Sequence, residues 1–167
     1  PQAEKVKPSH LIVGIGASAG GLEALQSFFS ELLPDTGHSY VVVQHLSPDF
    51  KSLMAELLAR KTQMPIYQIE SGIMPKPNSV YLLPPRSLLK IKYSKFIVSN
   101  APKSREPSLP IDEFFISLAK DQGENAVGIV LSGTGTDGSK GVQALYDAGS
   151  QVIIQDPESA KFDGMPN

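Results

Sequence analysis

The sequence predicts an α/β fold, a three-layer α/β/α sandwich whose mostly parallel, doubly wound sheet contains a β-hairpin insertion. Short apolar runs rich in β-branched residues, at 11–15 and 40–44, are typical of strands buried on both faces. Each is followed by a segment with apolar residues at helical spacing, as in 22–32. The rhythm of strand, small-residue turn and helix returns at 126–155, which indicates parallel βαβ units.

The other elements follow along the chain. A second helix is predicted after Ser47-Pro48, a third begins at Pro110, and a fourth ends at Gly149. The second helix is expected to have one face formed by Leu53, Met54, Leu57 and Leu58. The third is expected to point Ile111, Phe114, Phe115 and Leu118 inward, and the fourth contains Val142, Leu145 and Tyr146. Short apolar pieces at 65–69 and 80–83 lie among prolines, and residues 88–92 and 96–99 predict a hairpin around Tyr93-Ser94-Lys95.

The length and composition narrow the possible functions. A chain of 167 residues has the size of one domain, and without cysteine it can form neither a thiolate nucleophile nor a cysteine-containing metal site. The formal charge of -2 provides no basic excess for binding nucleic acid. No apolar run is long enough for membrane insertion, and no signal peptide opens the chain, so we expect a cytoplasmic protein.

Residues 1–9 are polar and indicate a linker or disordered lead, which leaves 10–167 as the predicted domain. No closing element is evident before Asn167, which favours a C-terminally truncated piece of a longer protein.

The turns that follow parallel strands meet at one edge of the sheet, where ligands bind. The first turn fits two motifs. Residues 14–19 match the dinucleotide fingerprint G-x-G-x-x-A, although Gln44-His45 stands where that motif needs an acid. Residues 16–20 match G-x-S-x-G between a strand and a helix, the context of a nucleophile elbow, with Ser18 as the nucleophile. The alternative for Ser18 is an ordinary helix N-cap.

A serine nucleophile needs a base and an orienting acid. His45 follows a strand and belongs at the same edge, whereas His10 and His38 precede strands and belong at the opposite one. Asp137, in a glycine-rich turn after 126–131, is the preferred acid, and Asp156 is its rival. The alternatives are a histidine bonded to a backbone carbonyl and an aspartate that only caps a helix.

Six blocks in order make the chain resemble the catalytic domain of chemotaxis protein-glutamate methylesterases, the CheB family. They are VGIGASAGG (13–21), VQHLSP (43–48), VYLLPP (80–85), PIDEFFISLA (110–119), GIVLSGTGTDG (128–138), and QDP to GMP (155–166). The resemblance implies a methylesterase domain over 10–167 that hydrolyses γ-glutamyl methyl esters on chemoreceptor cytoplasmic helices, with some members also deamidating glutamine.

The resemblance implies the same residues as the motifs, with Ser18 as nucleophile, His45 as base and Asp137 as acid. Backbone N–H groups near Ala19 and Thr134 would hold the oxyanion, and neither a metal nor a cofactor is required. The family usually has methionine at the position of Thr134. The tail resembles members fused to a methyltransferase module, so the partner could be another methylated protein. The alternatives are a nucleotide-binding module and a catalytically idle docking domain.

Overall fold

The computed structural model describes residues 10–17, 21–44, 51–102, 108–131 and 137–155, without the side chains of Lys51 and Ser52. These residues form eight strands, four α-helices and one short 3₁₀ helix. The strands are β1 (Ile12–Ala17), β2 (Ser39–Gln44), β3 (Ile66–Gln68), β4 (Ser79–Leu82), β5 (Ser87–Lys92), β6 (Lys95–Asn100), β7 (Ala126–Val130) and β8 (Gln151–Ile154). The helices are α1 (Gly21–Glu31), α2 (Lys51–Ala59), α3 (Pro110–Gln122), the 3₁₀ helix Gly123–Asn125 and α4 (Ser139–Asp147).

Six of the strands form one sheet in the order β3-β4-β2-β1-β7-β8, and every pairing described within it is parallel. The chain moves from β1 outward to β2 on one side and later to β7 on the other. The strand order therefore reverses at β1, which makes the carboxyl ends of β1 and β7 the topological switch point. The fold class predicted from the sequence is confirmed.

Helices cover both faces of the sheet. On one face, α1 and α2 pack through Leu25, Phe29, Met54 and Leu58 against alternate residues of the central strands. On the other face, α3 provides four fully buried side chains, Ile111, Phe114, Phe115 and Leu118, as its spacing predicts. The two apolar layers are the cores of the sandwich. Among the helices that the structure describes, none has the length and apolar character needed to cross a membrane.

The predicted hairpin is formed by β5 and β6, which pair antiparallel and pack on α3 through Leu89, Ile91 and Phe96. Its turn has two residues, Tyr93 and Ser94, with φ of 52° and 59°. Both values lie in the left-handed region that a type I′ turn requires. The backbone N–H groups of both turn residues donate to the Asp121 carboxylate of α3, at 2.7 and 2.9 Å, which anchors the turn.

Two local predictions are wrong. Leu53 does not share the inward face of α2, since 44% of it is exposed while Met54 and Leu58 are buried. Met54 and Leu58 are four residues apart and define the buried stripe, and Leu53 lies about 100° away from Met54 around the helix. Strand β1 also runs through Gly16 and Ala17, which the sequence assigns to the turn.

Candidate functional site

Strands β1, β2 and β7 end together at the carboxyl edge of the sheet. Ala17 is in register with Gln44, and Gly16 is in register with Val130. The Leu131 N–H donates to the Gly16 carbonyl at 2.9 Å, which continues the ladder by one more residue. The predicted site residues Ser18, Ala19, His45 and Thr134, and the rival acid Asp156, lie outside the described residues. Of the predicted site residues, the structure therefore describes Asp137, together with the ends of β1, β2 and β7.

Asp137 is a buried carboxylate, only 4% exposed. Its Oδ2 accepts a hydrogen bond from the Ile111 N–H at 2.9 Å, and its Oδ1 accepts one from the Asp112 N–H at 2.8 Å. Both donors lie in the first turn of α3, where backbone N–H groups have no partner within the helix. The positive end of the helix dipole also stabilises a carboxylate there. Both oxygens of Asp137 are therefore held in place by α3.

These bonds are backbone N–H bonds of the kind that the capping alternative for Asp137 predicts, but they come from α3 and not from the helix that follows Asp137. The following helix, α4, has Gly138 at its N-cap position and no side-chain cap bond. Asp137 instead binds the start of a helix that precedes it along the chain. A buried carboxylate fixed at both oxygens has a defined orientation, which is what the acid of a Ser-His-Asp triad needs.

Asp112 makes the matching interaction in the opposite direction. Its Oδ1 accepts hydrogen bonds from the Gly138 N–H at 3.0 Å and from the Gly141 N–H at 2.7 Å, and the residue is 5% exposed. Asp137, just before α4, thus binds N–H groups at the start of α3, while Asp112 of α3 binds N–H groups at the start of α4. We call Asp112 and Asp137 the reciprocal aspartate pair.

The reciprocal aspartate pair lies beside the end of β1, because α3 starts against that strand. A Cβ built on Gly16 would lie 2.7 Å from Cγ2 of Ile111. Ile111 is also the residue whose N–H binds Asp137. One residue of α3 therefore connects Asp137 to the strand that ends one residue before Ser18.

The same packing bears on the dinucleotide fingerprint. Gly14 and Gly16 lie inside β1 and not in a turn. A Cβ built on Gly14 would lie 3.0 Å from ring carbons of both Phe114 and Phe115, while Ile111 occupies the space above Gly16. In a dinucleotide site, such glycines leave room for the backbone to approach a pyrophosphate. Here the space that they leave is filled by α3, which argues against a nucleotide site.

The described histidines lie at the edge that strand polarity predicts. His10 precedes β1 and His38 precedes β2, at the amino ends of the strands. His38 Nδ1 accepts a hydrogen bond from the Leu11 N–H at 3.0 Å, so it joins two strand starts. Within the described part of the chain, no group of three or more acidic and histidine side chains could hold a metal ion.

Two polar residues near the site were not predicted from the sequence. Asp112 is one: an acidic residue in a first helical turn usually lies in solvent, so the sequence contains no signal of its burial. Gln44 is the other. Its Oε1 and Nε2 are buried and make no hydrogen bond to the described residues, and a Cβ built on Gly21 would lie 2.8 Å from Nε2. Its position directly before His45 was the available signal.

The fold and this edge define a doubly wound parallel α/β protein with a buried, oriented carboxylate at its topological switch point. The model of the CheB methylesterase family matches residues 13–167. The chain therefore belongs to the CheB methylesterase family.

Individual relatives agree with the family match. A protein-glutamate methylesterase/protein-glutamine glutaminase from Salmonella typhi is 32% identical over 162 residues, which are 95% of this chain and 46% of that protein. An uncharacterized 104.1 kDa protein from Rhodobacter capsulatus is 46% identical over 114 residues, 68% of this chain and 12% of that protein. The chain therefore spans less than half the length of these curated relatives.

A solved structure shows the same fold. The crystal structure of the Thermotoga maritima CheB methylesterase catalytic domain superposes with a TM-score of 0.83 at 28% sequence identity. The match covers 94% of this chain and 85% of that one.

Proposed function

We propose that this chain is a serine-type carboxylic ester hydrolase, a protein-glutamate methylesterase, with Ser18 as nucleophile, His45 as base and Asp137 as acid. Its substrates are γ-glutamyl methyl esters on the cytoplasmic helices of chemoreceptors or of a related methylated protein. The products are glutamate and methanol. The family and its named relatives, which are described as protein-glutamate methylesterase and protein-glutamine glutaminase, support this assignment.

One observation supports the triad above all others: Asp137 is a buried carboxylate with both oxygens bound, beside the end of β1. Ala17 and Gln44 are in register on adjacent strands, about 4.8 Å apart. Ser18 follows Ala17 in the sequence, and His45 follows Gln44. The pairing of the residues that precede them supports the proposal that nucleophile, base and acid share one edge of the sheet.

The proposed reaction has two acyl-transfer steps. His45 removes the proton of the Ser18 hydroxyl as the oxygen attacks the ester carbonyl, and Asp137 orients the imidazole and stabilises its protonated form. Backbone N–H groups near Ala19 and Thr134 stabilise the oxyanion. Methanol leaves with the proton from His45. A water molecule activated by His45 then cleaves the acyl-enzyme and releases glutamate.

The proposal extends to the organisation of the protein. Residues 10–167 are the catalytic domain and residues 1–9 the linker, which agrees with a family match that starts at residue 13. The small share of the Rhodobacter protein that is matched supports a fusion with further modules, such as a methyltransferase. We place the reaction in the cytoplasm, where chemoreceptor helices present their methyl esters.

The test is methanol release from a methylated chemoreceptor fragment, together with labelling by a fluorophosphonate probe. We expect the wild-type chain to release methanol and to be labelled at Ser18. Ser18→Ala and His45→Ala should each reduce both signals by about 10³-fold or more, because the members of a triad act as one unit. Ser27→Ala, an exposed position on α1, and His10→Ala are the matched controls and should behave as wild type.

Three outcomes would contradict the proposal. Equal methanol release by wild type and Ser18→Ala would remove the serine mechanism. Binding of NAD or ATP in equilibrium dialysis would favour a nucleotide module. Binding of the receptor fragment without probe labelling would favour a catalytically idle docking domain.

A further inference from the structure

We propose that Asp112 is a positioning residue, which holds the triad acid Asp137 in its working orientation through the reciprocal aspartate pair. The inference rests on the proposed function, in which Asp137 is the triad acid. It assigns a role to a residue that touches neither the substrate nor the reacting atoms.

The first part of the argument concerns the backbone around Asp137. Asp137 comes directly before Gly138, whose N–H donates to Asp112 Oδ1 at 3.0 Å. The same oxygen accepts the Gly141 N–H at 2.7 Å, in the first turn of α4. Asp112 therefore fixes the peptide that links Asp137 to Gly138, together with the start of α4. Gly138 has φ of 110°, a conformation that glycine adopts readily and that L side chains rarely adopt.

The second part concerns the side chain of Asp137. Its carboxylate accepts hydrogen bonds from the Ile111 and Asp112 N–H groups. The backbone of Asp112 therefore binds the Asp137 side chain, while the side chain of Asp112 fixes the backbone next to Asp137. A loop held only by its side chain could rotate about its backbone, and one held only by its backbone could rotate the carboxylate. The two sets of bonds together prevent both motions. Because the pair is 4% and 5% exposed, water cannot readily replace either set.

The third part is that stability alone does not require this arrangement. A helix start is normally capped by a residue of its own chain segment, just before the helix. Here α3 and α4 lack such caps: Leu109 and Gly138 occupy the N-cap positions, and neither makes a side-chain cap bond. The bonds instead come from residues far along the chain: Asp137, just before α4, binds the start of α3, and Asp112 of α3 binds the start of α4, at separations of 25 to 29 residues. This arrangement couples the orientation of the acid to the packing of two helices.

The experiment compares Asp112→Ala with Asp121→Ala, a matched control. Asp121 lies on the same helix and also accepts two backbone N–H bonds, from Tyr93 and Ser94, but it does so at the hairpin turn. The measurement is the rate constant for fluorophosphonate labelling of Ser18, with probe in excess and well below the unfolding temperature. Under these conditions the rate constant does not depend on the amount of folded protein, so a loss of stability does not change it.

We expect Asp112→Ala to lower this rate constant by about 10- to 100-fold, since small displacements of catalytic groups have effects of that size. Asp121→Ala should leave the rate constant unchanged although it removes comparable bonds. Asp112→Asn keeps an oxygen at the Oδ1 position and should restore most of the rate. If Asp112→Ala does not fold, Asp112→Ser is measured in its place. The serine hydroxyl is shorter than the carboxylate and cannot reach both N–H groups, so the same loss of rate is expected.

Equal rate constants for wild type, Asp112→Ala and Asp121→Ala would overturn the inference and leave Asp112 as a stabilising cap. If the wild-type chain itself is not labelled, the proposed function has failed, and amide hydrogen exchange then decides the positioning role separately. Faster exchange in Asp112→Ala at Ile111, whose partner is Asp137, as well as at Gly138 and Gly141 supports it. Faster exchange at Gly138 and Gly141 alone contradicts it.

Discussion

Asp137 accepts backbone hydrogen bonds from α3, and the two donors, Ile111 and Asp112, stand 26 and 25 residues earlier in the chain. The sequence places Asp137 in a glycine-rich turn and makes it the preferred acid. It does not reveal where the two carboxylate oxygens bind, because the donors belong to another helix. At the scale of single residues, the orientation of a buried polar group thus depends on its hydrogen-bond partners and not on its neighbours in sequence.

Tyr40 illustrates the same point with a group whose ionisation is affected. Burial raises the pKa of the Tyr40 phenol above its ordinary value of 10.0, and the hydrogen bond with Thr36, with 2.7 Å between the two oxygens, opposes this only in part. The unfolded chain therefore ionises first. The stability that the neutral phenol contributes is complete below pH 10.0 and is lost as the pH rises from there through the folded-state pKa.

We predict that Tyr40→Phe abolishes this alkaline loss of stability. At neutral pH the variant should be less stable by about 1 kcal/mol, the usual value of one hydrogen bond. Above pH 10 the difference from wild type should shrink. Urea unfolding across this pH range tests the prediction, with Tyr93→Phe as the control because Tyr93 is 81% exposed. Equal pH slopes for wild type and Tyr40→Phe would contradict it.

At the scale of elements, α3 organises the site. Its buried side chains cover the glycines of β1, its first turn binds Asp137, and its last turn anchors the hairpin through Asp121. It also packs closely on α4: a Cβ built on Gly141 would lie 2.6 Å from Phe115 Cβ and 3.3 Å from Asp112 Cα. Neither contacted atom is the end of a flexible side chain, so only a shift of the helices could make room.

We therefore predict that Gly141→Ala destabilises the protein. In an ordinary helix this change stabilises by about 1 kcal/mol, because alanine has the higher helix propensity. Here the added methyl group should instead cost about 1–3 kcal/mol, the usual effect of overpacking. Urea unfolding measures the sign, and Lys140→Ala, at an exposed position of the same helix, is the control. A gain in stability for Gly141→Ala would show that the helices separate freely.

At the scale of the whole molecule, the sheet has a protected centre and weaker edges. Strand β1 is buried throughout and is paired on both sides, with β2 and β7. The outer strands β3 and β8 are largely exposed. The site is attached to the ends of the three central strands, so it is supported by the part of the fold that should open least often.

Amide hydrogen exchange followed by mass spectrometry should reproduce this order. Peptides from β1, β2 and β7 should exchange most slowly, and those from β3 and β8 at least about tenfold faster, because edge strands open locally without global unfolding. Protection in β8 equal to that in β1 would contradict this and would mean that the sheet opens as a single unit.

The sequence by itself determined the layered parallel fold and the hairpin. These follow from local patterns, because apolar runs mark buried strands and helical spacing marks α3. Strand polarity also predicts that Ser18, His45 and Asp137 share one edge, and of these three the structure describes Asp137. Local patterns failed where neighbours decide the outcome, as for Leu53, whose exposure depends on which stripe of α2 faces the sheet.

Only the tertiary structure decided that Asp112 is buried, that it forms the reciprocal aspartate pair with Asp137, and that α3 fills the space beside Gly14 and Gly16 of β1. Each of these features depends on contacts between residues far apart in the chain. Hydrogen bonds and close packing require positions that are fixed to within tenths of an ångström. The spacing of residue types along one chain segment contains no information of that kind.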